Sequence, residues 1–140
     1  MPAKVFLDSN VLIYLYSEDE PEKAALAQQC AQEPDAWIST QVLNEVSNVL
    51  RRKQKQAYPD ILSVIQELQG NFQVTTVTTQ TIEQALLLGE RYGYSYFDSL
   101  MVASALEQSC KVLYSEDMQH GQVVEGLLRI VDPFVALTSV

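Results

Sequence analysis

The chain has 140 residues, the usual size of one domain, and its 47% apolar and 19% charged composition is that of a soluble globule that needs no disulfide or structural metal to fold. Its formal net charge of −9 excludes a protein that holds nucleic acid through its overall field, because neutralising phosphates takes Lys and Arg. Two routes around that objection exist: carboxylates that bind divalent cations and so present positive charge, or a basic partner that covers the acidic surface.

In chain order, Lys4–Leu7 reads as a short apolar strand, cut by Asp8-Ser9-Asn10, so residues 1–20 do not resemble a signal peptide. Val11–Tyr16 reads as a short helix. Pro21 suits the first turn of a helix reaching about Gln32. Trp37-Ile38 is a brief strand ending at Ser39-Thr40, followed by a helix over Gln41–Lys55. Pro59 opens a helix to about Gln69, which Gly70-Asn71 ends. Phe72–Val77 is β-branched and strand-like. Gln80–Tyr92 is helical and stopped by Gly93; Tyr96–Ser109 is helical; Lys111–Tyr114 and Leu128–Val131 are strands. Strands alternating with helices predict an α/β fold with a parallel sheet and helices on both faces. There is no repeat, low-complexity tract or linker, so residues 1–140 are expected to form a single domain. No apolar run reaches about 18 residues, so no membrane span is expected. Cys30 and Cys110 match no metal or redox spacing, and reduced thiols on packed helices imply a cytoplasmic setting.

Four acidic positions stand out. Asp8 directly follows the first strand, and Asp117 follows the strand Lys111–Tyr114 after Ser115-Glu116. The carboxyl ends of strands are where an open parallel sheet binds ligands. The plainer readings are a helix N-cap for Asp8, a role Asn10 could also fill, and a turn residue for Asp117 before Gly121. Val42, Leu43, Val46, Val49 and Leu50 form an apolar stripe on their helix, and Glu45 falls on its rim, roughly 40° beyond Val49. It is either a boundary residue or a carboxylate that reaches a cleft. Ser95-Tyr96-Phe97-Asp98 reads as a capping box. Asp98 is nevertheless set among Tyr96, Phe97, Leu100, Met101 and Val102, where a carboxylate is costly unless paired or metal-bound.

The four positions weigh most in combination. Converging carboxylates repel one another, and Mg²⁺ or Mn²⁺ removes that penalty with oxygen ligands. Such an ion lowers the pKa of a bound water and stabilises in-line displacement at phosphorus. The lack of His or Cys partners disfavours Zn²⁺, and His120, the one histidine, reads as a loop residue.

The stretch Val5-Phe6-Leu7-Asp8-Ser9-Asn10-Val11-Leu12-Ile13 resembles the opening motif of PIN-domain nucleases. Ser39–Glu45, Tyr96–Ala105 and Leu113–Gly121 resemble their second, third and fourth motifs, in order along nearly the whole chain. The likeness is greatest to VapC-like toxins of bacterial toxin–antitoxin pairs. That resemblance implies a PIN-like three-layer fold, a mainly parallel sheet flanked by helices. It also implies Mg²⁺- or Mn²⁺-dependent RNA cleavage, a homodimer and a small inhibitory antitoxin. Carried over by motif, Asp8 and Asp98 are the principal metal ligands. Glu45 completes the site and helps orient or activate water, Asp117 is the fourth acid, and Asn10 and Ser115 are supporting polar groups. Many relatives carry a further Asp-Phe or Glu-Phe where Met118-Gln119-His120-Gly121 stands here, so Glu116 competes with Asp117 for the metal.

Positive charge clusters at Arg51, Arg52, Lys53 and Lys55. Arg52 projects within about 20° of Glu45 and lies roughly 10 Å further along the helix, where a guanidinium can meet a flanking phosphate. The plainer reading of the cluster is favourable charge at a helix C-terminus. The expected antitoxin contacts are the cleft and the early helices at Leu12, Leu15 and Tyr16, unless those are core. Two alternatives remain at the level of sequence. Phe6-Leu7-Asp8-Ser9-Asn10 also resembles the nucleophile motif of haloacid-dehalogenase-like phosphatases, although Asn10 stands where that class has a second Asp. A catalytically inactive module that binds RNA or protein is the other.

Overall fold

A computed structural model describes residues 2–138, so residues 1, 139 and 140 of the expected domain lie outside it. In chain order the elements are β1 (Val5–Leu7), α1 (Ser9–Tyr14), α2 (Pro21–Ala31), β2 (Ala36–Ser39), α3 (Thr40–Arg52), α4 (Tyr58–Asn71) and β3 (Gln73–Thr75). They continue with α5 (Thr79–Tyr92), α6 (Tyr96–Glu107), β4 (Val112–Tyr114), β5 (Val123–Val124), β6 (Leu128–Val131) and α7 (Val135–Thr138). The strands form one sheet in the order β3-β2-β1-β4-β6-β5. All neighbours are parallel except the β5–β6 pair. The architecture is a mostly parallel sheet flanked by helices, an α/β fold.

This order places the chemistry. β1 pairs with β2 on one side and β4 on the other, and every β1 residue is buried. A strand enclosed on both edges and faces must be uniformly apolar, as Val5-Phe6-Leu7 is. The chain therefore leaves β1 and β4 side by side at their carboxyl ends, the kind of position at which such sheets open a crevice. Asp8 ends β1, and its backbone N–H still donates to Tyr114 O on β4 at 2.9 Å.

α3 is held to the sheet by its stripe: Val42, Val46 and Leu50 are fully buried, each stabilising by roughly 1.5–3 kcal/mol relative to exposure. Its start is fixed twice. Ser39 Oγ accepts from Val42 N at 3.3 Å, and Thr40 Oγ1 accepts from Val77 N at 3.0 Å. The helix ends at Arg52 rather than Lys55, because the chain turns through Lys55 in the left-handed region (φ 53°) and Gln56 N–H closes on Leu50 O at 3.1 Å. α6 likewise stops at Glu107, with Ser109 left-handed (φ 57°). Cys110 therefore lies beyond the helix, whereas Cys30 is within α2. Both thiols are free and buried, and burial pushes each up to about 12, which keeps them unreactive.

α5 and α6 pack closely. A Cβ added at Gly89 would stand 3.0 Å from Ser99 Oγ, so glycine there lets α5 press against the first turns of α6 and hold its N-terminus. The sequence pattern predicts neither β5 nor α7. β5 is two residues long and joins β6 through a turn in which Glu125 and Gly126 both have positive φ. Leu12, a candidate partner contact, is fully buried core, and Leu15 and Tyr16 are half-buried against it. No helix among the described residues is long and apolar enough to cross a membrane.

Candidate active site

Asp8 is the N-cap of α1 and is buried. Its Oδ1 accepts from Ser9 N at 2.6 Å and its Oδ2 from Ser115 Oγ at 2.8 Å. Capping is thus one role of this residue, and the charges of Glu45 and Asp98 act on the same carboxylate. Burial raises its pKa from 3.8 to about 7. The Ser115 and Ser9 hydrogen bonds oppose the shift, and the charges of Glu45 and Asp98 add to it.

Ser9 connects two of the acids. Its hydroxyl donates to Glu45 Oε1 at 2.6 Å and lies 3.3 Å from Asp8 Oδ1. A hydroxyl has one proton to give, and the shorter contact takes it. Gln41, one turn before Glu45 on α3, donates to Glu45 Oε2 at 3.0 Å. Both oxygens of this half-buried carboxylate are therefore oriented.

On the far side, Asn10 Nδ2 donates to Asp117 Oδ2 at 3.1 Å and reaches Ser115 Oγ at 3.5 Å, while its Oδ1 accepts from Glu116 N at 3.2 Å. A hydrogen-bonded chain thus runs Glu45–Ser9–Asp8–Ser115–Asn10–Asp117. Glu116 points elsewhere. Its Oε1 accepts from Tyr14 OH at 2.7 Å and its Oε2 pairs with Lys23 Nζ at 2.6 Å.

Asp98 lies in the first turn of α6. Ser95 Oγ accepts from Asp98 N at 3.3 Å, so half of the expected capping box is present. A complete box forms instead at the start of α5, between Thr78 and Thr81. Burial raises the Asp98 pKa, the Ser95 hydroxyl lowers it, and the charge of Asp117 raises it further. Asp8 thus feels Glu45 and Asp98, and Asp98 feels Asp117: the four acids share one electrostatic neighbourhood. Among the described residues, no three His, Cys, Asp or Glu groups already stand at the spacing of a metal-binding cluster.

The basic cluster divides. Arg51 Nη1 donates to Gln56 O at 3.1 Å, and its guanidinium lies 4.4 Å from the Tyr58 ring centroid, so it packs on the loop after α3. Arg52 is exposed at the last position of α3. Lys53 lines a groove of about 620 Å³ that runs past Tyr16 to Asn10. His120 is an exposed loop residue whose Nδ1 accepts from Asp132 N at 3.0 Å. Sequence reasoning did not single out Ser9, Gln41, Tyr14 or Lys23. Gln41 has a local signal, four residues before Glu45 on one helix face. The Lys23–Glu116 pair spans 93 positions and has none.

Known proteins share this arrangement of elements. A family model described as PIN domain matches residues 5–125. A toxin–antitoxin complex from Klebsiella pneumoniae superposes with a TM-score of 0.71 at 20% identity, covering 93% of this chain and 98% of that one. VapC20 of Mycobacterium tuberculosis, described as a sarcin–ricin loop cleaving toxin, gives 0.66 at 20% identity, covering 81% and 90%. VapBC2 from Rickettsia felis, bound to a promoter DNA fragment, gives 0.64 at 17% identity, covering 91% and 98%. A search of curated protein sequences returned no match. At these identities the superpositions establish a shared fold.

Proposed function

The chain belongs to the PIN-domain family, and from that premise we propose that it is a metal-dependent endoribonuclease, the toxin of a toxin–antitoxin pair. The observation that carries this reading is the joining of Asp8, Glu45 and Asp117 by one hydrogen-bonded chain, with Asp98 coupled to it through charge. Family membership supersedes the phosphatase alternative.

The donor set fits Mg²⁺ or Mn²⁺. It is all oxygen, and it contains a buried carboxylate whose charge is penalised both by burial and by neighbouring acids. Asp8 and Asp98 would be the principal ligands, with Asp117 and Glu45 completing the site. Because no cluster of three stands ready among the described residues, assembly requires side-chain movement, which the exposure of Asp117 permits. When bound, the ion supplies a water of lowered pKa and charge stabilisation at phosphorus. The remaining work falls to the chain itself. Glu45, oriented by Ser9 and Gln41, accepts a proton from the attacking water. Asn10 positions the Ser115–Asp117 segment, and Ser115 orients Asp8.

In the proposed site Glu116 is a structural anchor and Asp117 the functional acid. Asp117→Asn should lower RNA cleavage by about tenfold or more. Glu116→Gln should leave turnover within about twofold and cost at most ~1 kcal/mol of stability, its ion pair being partly exposed. Equal losses of turnover in the two variants would contradict the assignment. Arg52 lies on the Glu45 face of α3 and is proposed to contact a phosphate of the substrate. Arg52→Ala should weaken RNA binding and reduce its salt slope by about one, with Mn²⁺ binding intact. Unchanged RNA affinity at low salt would rule the contact out.

The solved toxin–antitoxin complexes support a small antitoxin as partner, and a homodimer and a cytoplasmic location belong to the same proposal. The test of the function is Mn²⁺-dependent cleavage of RNA by the purified chain free of any inhibitor. Cleavage supports the reading; its absence for every RNA tried favours a binding module.

A further inference from the structure

Beside the acids lies a surface that the reaction leaves unused. Phe97 immediately precedes Asp98 on α6, and 56% of its surface is exposed. Its ring meets that of Tyr96 at 5.5 Å between centroids with the planes 58° apart, a contact that helps fix its orientation. Opposite stand Gln41, Asn44, Glu45 and Asn48 of α3, which with Phe97 line a depression of about 400 Å³. Phe97 thus offers an open aromatic face beside the acids. The side chains facing it are three amides and the carboxylate that ends the catalytic chain.

We propose that this depression is a nucleobase subsite, in which one unpaired base of the RNA stacks on Phe97 while Asn44 and Asn48 read its edge. The proposal rests on the ribonuclease reading for its setting and adds the residues that select sequence. An aromatic face stacks any base, because every base has a π-face. Amide groups, each offering donors and an acceptor, discriminate the edges of a splayed, single-stranded base. Gln41 is engaged by Glu45, and Asn44 Nδ2 reaches Gln41 Oε1 only at 3.5 Å, so the edge-reading role falls to Asn44 and Asn48. Glu45 belongs to both the depression and the acid chain, so a base seated there places its own nucleotide next to the reacting phosphate. Arg52, four residues beyond Asn48 on the same helix, lies further along this face.

The test uses the intrinsic fluorescence of Phe97→Trp in the full chain, with the wild-type protein, which has Trp37 alone, as control. Short single-stranded oligomers of adenylate, cytidylate and uridylate are titrated in Ca²⁺, and affinities are measured in parallel for the other variants. Saturable quenching of the new tryptophan is expected. Phe97→Leu should bind about tenfold to a hundredfold more weakly, and Phe97→Tyr should restore binding. Asn44→Ala and Asn48→Ala should change the order of preference among the three oligomers. Absence of quenching, or wild-type affinity in Phe97→Leu, overturns the proposal. So does light scattering that shows Phe97→Leu splitting a dimer while affinity per chain is kept, since Phe97 would then be a subunit contact. Cleavage assayed on the same protein preparations, with Mn²⁺ in place of Ca²⁺ and RNA of mixed sequence as substrate, separates the two ideas. Quenching without any RNA cleavage sinks the ribonuclease reading and leaves the subsite standing, whereas cleavage without quenching does the reverse.

Discussion

Asp8→Asn is expected to raise the melting temperature of the metal-free protein while removing its stabilisation by Mn²⁺ and its cleavage activity. Asp8 is buried and carries its charge beside Glu45 and Asp98, which together bring its pKa from 3.8 to about 7. The folded chain therefore holds a proton on Asp8 over a pH range in which the unfolded chain does not. Stability from this group is present below pH 3.8 and is lost as pH rises to about 7, so the penalty is complete at pH 8. Asn carries no charge and still accepts from Ser9 N, and the Ser115 hydroxyl can rotate to accept from its amide. The gain at pH 8 should be on the order of 1–3 kcal/mol, or ~3 °C and upward in Tm, and should shrink toward pH 5. Wild-type protein should gain about 2.7 kcal/mol at a Mn²⁺ concentration near one hundred times Kd, and Asp8→Asn much less. Thermal melts at pH 5 and 8, with and without Mn²⁺, check all of this. A lower Tm for Asp8→Asn at pH 8 would show that capping outweighs charge at this position.

Glu45→Gln should reduce kcat by about 10²- to 10⁴-fold with little change in Tm. The substituted amide would keep the Ser9 hydrogen bond through its carbonyl oxygen, and the Gln41 amide can turn over to accept from its nitrogen. What the variant loses is a base that takes a proton from water. Single-turnover cleavage and thermal melts of the same preparation separate the two effects. A kcat within about threefold of wild type would assign proton removal elsewhere.

The fold was legible where its causes are local. Val5–Leu7 reads as an enclosed strand because all three residues are apolar, and α3 reads as a helix because Val42, Val46 and Leu50 repeat at its period. The hairpin partner β5 escaped detection because two residues are too few to show alternation, and its turn places Glu125 as well as Gly126 at positive φ. The complete capping box lies at Thr78–Thr81 rather than at Ser95–Asp98 for a related reason. Ser95 and Asp98 match the usual acid-at-N3 pattern, whereas Thr78 and Thr81 use a second hydroxyl in place of the acid.

At the site, the four acids stand out one by one at strand ends and helix rims, and the family resemblance adds Asn10 and Ser115, but neither Ser9 nor the contacts that join these groups can be read from the sequence. Ser9 reaches Glu45 across 36 positions, and Ser115 reaches Asp8 across 107, contacts that only the sheet order creates. The proposed site takes Asp117 rather than Glu116 because Lys23 engages Glu116 in an ion pair, a contact between distant positions that no local pattern announces. The basic cluster was legible as charge and not as direction, since the turn at Lys55 and the Tyr58 ring decide where Arg51 lies.

If these acids bind the ion that cleavage requires, filling the site and cutting RNA must rise and fall together. Titrating Mn²⁺ into wild-type, Asp8→Asn and Asp98→Asn protein, with ion binding followed calorimetrically and RNA cleavage on the same samples, measures both at once. Wild-type cleavage is expected to rise over the Mn²⁺ range in which the site fills, and both variants to lose ion binding and cleavage together. Cleavage that persists in both variants would mean that the ion, or the reaction, lies elsewhere.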